Sequence, residues 1–399
     1  MNEKKNNYSV TFVLPAPSIR YPPGGYNIVY QIAHNLNVSG IKTAIIFLKN
    51  VSIFIPNYKE DKSMKKNGTG IIKKGFYVLF NDRRIEIFYR LRLYRFLGID
   101  YDYSILDNVD CYYYNGIENV NITTDLIIAT SWETAYFVNE FIKNYKSKPF
   151  YLIQGSEDEP SFSGINSTNA EETYHFNFKK IVINRKLYTR FKNEGPLFFH
   201  VGIDTDFFKI KRDINKRGNV VLIPLRQNLS KGAKYAIECT RKLLTYDSKA
   251  DIKILMFGDY KINEIPKDIR DKIEYHYLPT NKQLLQLYNK ASIFVLPSLV
   301  EGMSLPTLEA MACGCAVVVT DNGGINEYII DEINGLICPI ADAECLFNKV
   351  LYLLNNKQKR EELVKNSIET TKQFSYQQMN KDFINLIKPY LEDNSAKGL

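Results

Sequence analysis

Tryptophan is nearly absent from this 399-residue sequence, which has one, and histidine is scarce at four. His34, His175, His200 and His276 show neither metal-ligand spacing nor the partners of a nucleophilic triad, so each reads as a core or surface residue. Six cysteines are too few for a disulfide framework. Cys313 and Cys315 sit close together, but Cys338 and Cys345 complete no zinc-ribbon spacing; all read as small thiols, and no metal site is expected. No apolar run approaches the roughly 20 residues that cross a bilayer. The opening MNEKKNNYSVTFVLP lacks the apolar core and small-residue cleavage site of a signal peptide, so a cytoplasmic protein is expected. Triplets such as Asn67-Gly-Thr69 are then chance matches to a glycosylation acceptor. A Gly-x-Gly-x-x-Gly run is also missing, which argues against a dinucleotide cofactor.

What is present suits a soluble two-domain chain. Hydrophobic residues make up 45% and charged residues 24%, enough to bury two cores of about 200 residues each. A net charge of +8 permits contact with anionic lipid or a phosphorylated substrate without requiring nucleic acid.

Short apolar runs closed by polar or turn residues recur along the chain: SVTFVLP, KTAIIFL, DLIIAT, FYLIQ and KKIVIN, then NVVLIPL, DIKILMFG, ASIFVLPS, CAVVVTD and GLICP. Each has the pattern of a strand buried on both faces of a parallel sheet, and helical stretches, such as Ile28 to Leu36, lie between them. The expected fold class is α/β, with two Rossmann-like doubly wound domains facing a central cleft. The boundaries are set at 1–205 and 206–375, with a C-terminal helix at about 376–392 docking back on the first domain. Residues 59–95 carry many Lys and Arg among Phe, Tyr, Leu and Ile. They read either as a basic amphipathic surface for anionic lipid or a lipid-diphosphate acceptor, or as a solvated insertion.

Two segments carry chemistry. In LPSLVEGMSLPTLEAMACG a strand leads through a glycine loop into a helix, with Ser304 as N-cap and Pro306 in the first turn. The N–H groups from Met303 to Leu305 then point toward the strand ends, where a diphosphate fits. Glu301 precedes this helix and Glu309 lies more than a turn inside it; carboxylates accept hydrogen bonds from sugar hydroxyls. In NVVLIPLRQNLSKGAKYAIE, Arg226 and Lys231 flank another strand-to-helix loop and converge on a phosphate pair. Either segment alone reads as an ordinary crossover with surface charges. The two together make a site.

The stretch Glu301-Gly-Met-Ser-Leu-Pro-Thr-Leu-Glu309 resembles the glutamate-seven-residues-glutamate motif of retaining family-4 glycosyltransferases of the GT-B fold. Arg226 and Lys231 resemble that family's donor-diphosphate pair, and Asp321-Asn-Gly-Gly-Ile-Asn-Glu327 its following turn. Phe257-Gly258-Asp259 and Tyr277-Leu278-Pro279 fall where the family forms its nucleobase pocket. Pro22-Pro23-Gly24-Gly25, after the first strand, is similar to its glycine loop. The family's sugar-contacting His is replaced by Thr130-Ser131-Trp132-Glu133-Thr134. That departure, like Tyr151-Leu-Ile-Gln154 with Glu157, Asp158 and Glu159, resembles a rhamnosyltransferase-like branch. Trp132 reads either as a sugar-stacking ring or as core.

The resemblance implies transfer of a hexose or deoxyhexose from a nucleoside-diphosphate sugar to a glycan or lipid-linked acceptor, with retention and without a metal or other cofactor. It implies that Arg226 and Lys231 hold the leaving diphosphate and Glu301 the sugar, with these three as the catalytic group. Glu309 holds the ribose, and Gly24, Gly25, Leu278, Met303, Ser304 and Leu305 complete the donor site. Thr130, Trp132, Glu133 and Glu157 are the acceptor candidates. The alternatives are a catalytically silent nucleotide-sugar-binding subunit, or another GT-B activity such as an epimerase or phosphorylase.

Overall fold

A computed structural model describes residues 8–15, 24–58, 103–114, 116–117, 120–246 and 251–393. The basic stretch 59–95 and Pro22-Pro23 therefore lie outside the described residues. The chain forms two compact units. One comprises Met1–Val182, Phe191–Phe198 and Asp382–Leu399, the other Ile183–Arg190 and Phe199–Lys381.

The first unit is built on a seven-stranded sheet. Its strands are β1 (Ser9–Pro15), β2 (Lys42–Leu48), β3 (Asp110–Tyr114), β4 (Leu126–Ala129), β5 (Lys148–Ile153), β6 (Lys179–Val182) and β7 (Leu197–Phe198). They run in the order β3-β2-β1-β4-β5-β6-β7, and each paired neighbour is parallel. Val10, Phe12, Val13 and Leu14 of β1 are all buried. A central parallel strand is covered on both faces, so its apolar residues run together instead of alternating. Between β1 and β2 lies the helix Gly24–Val38, whose Ile28, Val29, Ile32, Ala33 and Leu36 recur at helical spacing and are buried.

The second unit repeats the scheme on six strands. These are β8 (Val220–Leu225), β9 (Lys253–Gly258), β10 (Glu274–Tyr277), β11 (Ile293–Leu296), β12 (Ala316–Thr320) and β13 (Leu336–Cys338), in the order β10-β9-β8-β11-β12-β13. The helices Ala233–Thr245, Asn281–Lys290 and Leu305–Ala312 lie in its crossovers, and Ala343–Asn355 follows the last strand. Val221, Ile223, Val295 and Val318 from the sheet pack with Cys239, Leu243, Leu346 and Val350 from the helices in one core.

In each unit the strand order reverses direction once, between β1 and β4 and between β8 and β11. Ligands of open parallel sheets bind outside the carboxyl ends of the strands at such a reversal. In the second unit the two strands at the reversal part early. β8 pairs with β11 only at Val221 and Leu222, while its pairing with β9 continues through Pro224 and Leu225. Pairing toward β11 thus stops before Pro224, which has no N–H to donate.

Three strands are absent from the sequence reading: β3, β7 and β10. All three are edge strands. β10 reads Glu-Tyr-His-Tyr and is half open to solvent, so it lacks the apolar run that marks a central strand. Gly24 and Gly25 do not form a loop; they open the helix Gly24–Val38, where a Cβ on Gly25 would stand 2.9 Å from Gln154 Oε1. The thiol expectation also needs correction for one pair. Cys338 and Cys345 are joined as a disulfide, because the end of β13 and the first turn of the following helix bring their Cα atoms within 5.8 Å. Cys239, Cys313 and Cys315 are buried free thiols.

The last helix, Tyr376–Glu392, contributes to both units. Within the first, Phe383 meets Phe12 at 6.1 Å between ring centroids and Tyr390 meets Phe150 edge-on at 5.2 Å. Lys148 Nζ donates to the Tyr390 and Asp393 carbonyls at 3.0 and 2.8 Å. No described helix is long and apolar enough to cross a membrane.

Candidate functional site

The loops after β8 and β11 meet at the reversal in the second sheet. Lys231 Nζ lies 2.9 Å from Glu301 Oε2, and Ser298 Oγ donates to Glu301 Oε1 at 2.8 Å. Both oxygens of Glu301 are thus oriented, one by a cation and one by a buried hydroxyl. The backbone holds Lys231 in place. Asn228 Oδ1 accepts from the Ser230 N–H, and the Leu299 N–H donates to Ser230 O at 2.7 Å. Gly232 follows with φ +66°, and a Cβ there would stand 1.9 Å from Pro297 O. Only glycine lets the loop after β8 lie this close to the end of β11.

Arg226 follows β8 directly, with its guanidinium carbon 5.8 Å from the centroid of the Phe257 ring. Its charge also reaches Glu309, in the helix after β11. Burial pushes the Glu309 carboxyl up to about 7, against a hydrogen bond from Tyr288 and the positive charge of Arg226. The Tyr288 hydroxyl donates to Glu309 Oε2 at 2.9 Å. Lys231 thus pairs with Glu301 and Arg226 acts on Glu309, in each case between the loop after β8 and the segment after β11 of one unit.

The helix between them spans Leu305–Ala312, with Ser304 at its N-cap and Pro306 in its first turn. The Ser304 hydroxyl is buried 3.0 Å from Thr307 Oγ1, and the Met303 side chain is buried as well. Among the described residues, no backbone carbonyl outside the helix accepts from the N–H groups of Met303, Ser304 or Leu305. These backbone donors sit at the positive end of the helix. Leu278, after β10, has φ +45° and donates its N–H to Gly258 O at 2.7 Å.

A second set of contacts braces the Glu301 loop. The Glu301 N–H donates to Asn322 O, and a Cβ on Gly324 would stand 2.9 Å from Glu301 O and 2.8 Å from Gly302 O. Asn184 Nδ2 donates to Gly302 O at 2.7 Å. Glu327, nearly buried, takes the Arg185 N–H at 2.6 Å and lies 3.0 Å from His200 Nε2. His200 is thus tied to the turn that supports Glu301. Sequence reasoning overlooked Ser298, Tyr288 and Asn184. Ser298 had a signal in its place directly after β11; the other two come from other segments and had none.

In the first unit the acceptor candidates also come together, but mostly as interior residues. Thr130 Oγ1 donates to Val13 O at 2.7 Å, and Thr130 O accepts from Gln154 Nε2 at 3.3 Å. Trp132 is 5% exposed and packs with Ile55, Tyr136 and Ala170; of its two readings, its surroundings match the core one. Glu157 is buried, accepts hydrogen bonds from the Tyr151 hydroxyl and the Trp132 N–H, and is pushed up to about 8 by its burial and by the nearby Glu133 and Asp158 charges. Glu133, half-buried on the first turn of the helix Trp132–Asn144, is also raised by burial. Of the four, only Glu133 keeps partial exposure; the others are committed to internal contacts.

Residues 204–370, which carry all four charged groups, match the family described as "Glycosyl transferases group 1". Among curated relatives, N,N'-diacetylbacillosaminyl-diphospho-undecaprenol alpha-1,3-N-acetylgalactosaminyltransferase of Campylobacter jejuni is 29% identical over 53% of this chain and 56% of its own. O-antigen chain mannosyltransferase B of Escherichia coli is 34% identical over 28% of this chain and 29% of its own. The chain spans about half the length, or less, of the curated relatives it matches. Solved structures extend the likeness to the whole fold. Anabaena HepE in complex with UDP and glucose has a TM-score of 0.70 at 14% identity, with 96% of this chain and all of that one covered. Sucrose-phosphate synthase from Thermosynechococcus elongatus has a TM-score of 0.67 at 17% identity, over 96% of this chain and 99% of that one. The fold is GT-B, and residues 204–370 of the second unit are similar to the group 1 glycosyltransferases.

Proposed function

We propose that the chain, with this group 1 domain as its donor half, transfers a hexose or deoxyhexose from a nucleoside-diphosphate sugar to a glycan or lipid-linked acceptor, retaining the anomeric configuration. The observation that carries the reading is the Lys231–Glu301 pair at 2.9 Å, with Arg226 in the field of Glu309 beside it. Two cations and a helix N-terminus suit a diphosphate, and two carboxylates suit the hydroxyls of the sugars at its ends. Arg226, Lys231 and the N–H groups of Met303 to Leu305 stabilise the charge that develops on the leaving diphosphate. Glu301 orients the sugar, and Glu309 takes the ribose. As the anomeric C–O bond to the diphosphate breaks, the acceptor oxygen bonds to the same face and its proton passes to the leaving phosphate. No metal is needed for this course, since the site's own cations meet the charge.

Relatives support the acceptor and donor classes. The name of the Campylobacter relative describes a lipid-diphosphate-linked acceptor, and the HepE structures hold UDP and UDP-glucose. A cytoplasmic protein resting on an anionic membrane through residues 59–95 fits a lipid-linked acceptor, and this part of the proposal rests on sequence alone.

The test is release of nucleoside diphosphate from a panel of uridine-, thymidine- and guanosine-linked sugars, with binding of the free diphosphates measured beside it. Glu301→Gln is expected to lower turnover about a hundredfold while leaving the free diphosphates bound, because Lys231 loses a competing partner. If no donor in the panel yields a nucleoside diphosphate, or Glu301→Gln turns over like wild type, the reading is wrong.

A further inference from the structure

Tyr288 meets the site only through its hydroxyl on Glu309, yet it is one of the most constrained residues there. It lies in the helix Asn281–Lys290, fully buried. Three rings surround it nearly edge-on: Phe208 at 5.9 Å, Phe257 at 6.3 Å and Phe294 at 5.9 Å between centroids. Its carbonyl accepts from Arg217 Nη1 at 3.2 Å and from Cys315 Sγ at 3.1 Å. Ring and backbone are both fixed. A cage of three phenylalanines would accept a fourth, so packing alone does not call for a phenol here. A buried hydroxyl costs free energy unless it is paired, and this one is paired with Glu309 Oε2.

We propose that Tyr288 is the positioning residue for Glu309, holding its carboxylate in the orientation, and in the charged form, that takes the ribose of the donor nucleotide. The proposal rests on the donor-site reading above. The groups that face Glu309 come from several elements: Tyr288 from its helix, Arg226 from the loop after β8, Tyr376 from the start of the last helix, and Cys313 from the end of Glu309's own helix. Tyr288 and Arg226 favour the ionised carboxylate, while burial opposes it and leaves the group at about 7. The ionised form is the better acceptor for a ribose hydroxyl. Nucleotide binding should therefore weaken as pH falls through that value. Without the Tyr288 hydroxyl, one of the two opposing influences is gone, and the weakening should begin at higher pH.

The experiment compares full-length wild type, Tyr288→Phe, Glu309→Gln and the double variant, using calorimetric binding of UDP, GDP and TDP across pH together with steady-state kinetics. Tyr288→Phe is expected to weaken binding of the accepted diphosphate roughly tenfold near neutral pH, with the loss closing at alkaline pH. The donor KM should rise while kcat stays within about twofold. In the Glu309→Gln background the same change should add nothing, since residues acting through one contact are not additive. A general loss of packing would not move the pH profile, so that readout separates positioning from stability. If Glu309→Gln weakens binding but Tyr288→Phe matches wild type at every pH, or if the two losses add, the role of Tyr288 is refuted and the donor site stands. If wild type binds none of the diphosphates, the donor-site reading falls, and this inference with it.

Discussion

At the scale of single residues the two units treat their carboxylates differently. Glu301 keeps a cation, a buried hydroxyl and some access to solvent. Glu157 is sealed between Tyr151, Tyr174 and the first turn of a helix; among the described residues its carboxylate has neutral donors as partners, with Glu133 nearby. Its carboxyl is raised from 4.5 to about 8, so between those values the folded state holds a proton that the unfolded chain releases. Stability then falls as pH rises through that window, since the state binding more protons is favoured at low pH. Glu157→Gln keeps an oxygen for the Tyr151 hydroxyl and cannot ionise. The variant is expected to lose less melting temperature than wild type between pH 5 and about 8, as followed by circular dichroism. Parallel melting curves at each pH would show that Glu157 does not hold the proton.

At the scale of elements, function depends on how closely two loops approach. The loop after β8 reaches the end of β11 only because Gly232 has no side chain and adopts φ +66°. Gly232→Ala would place a methyl 1.9 Å from Pro297 O, which cannot be relieved by a rotamer. A cost of about 2 kcal/mol or more is expected. Lys231 is the preceding residue, so diphosphate binding should fall together with stability, measured by denaturant unfolding and calorimetry. Unchanged binding in a folded variant would mean that Lys231 is not held by this contact. The strands around the site were legible in the sequence for a related reason. β8, β9, β11 and β12 are covered on both faces and read as unbroken apolar runs. β3 and β10 sit at sheet edges, where Tyr112 and Tyr275 are half-exposed and Asp110, Glu274 and His276 interrupt the apolar pattern; their pairing comes from the sheet and not from their own composition.

At the scale of the whole molecule, the last helix completes the first unit from the far end of the sequence. Phe383, Ile387 and Leu391 are buried there, and Phe383 meets Phe12 of the first strand. Removing residues 382–399 would expose those strands. Three such side chains are worth roughly 5–9 kcal/mol, comparable to the whole stability of a typical domain. The truncated chain is expected to lose the thermal transition of the first unit while the second still melts cooperatively. Two intact transitions in calorimetry would show that the first unit folds without the helix.

Some of this was settled by the sequence alone. The spacing of apolar runs specified two parallel α/β sheets, because central strands need no partner to be recognised. Arg226, Lys231, Glu301 and Glu309 were legible as a group because strand-loop-helix units put charges at predictable places on one sheet. Tertiary structure alone decided what holds them. Ser298 reaches Glu301 from three positions earlier in the same loop, but Tyr288 is a tyrosine among many, and only the meeting of separate crossovers puts its hydroxyl 2.9 Å from Glu309. It also decided that Trp132 and Glu157 are interior residues, since burial depends on what the rest of the chain lays over a segment. A hydrogen bond between positions 288 and 309 leaves no periodic trace in a sequence; it exists only where the fold brings those residues together.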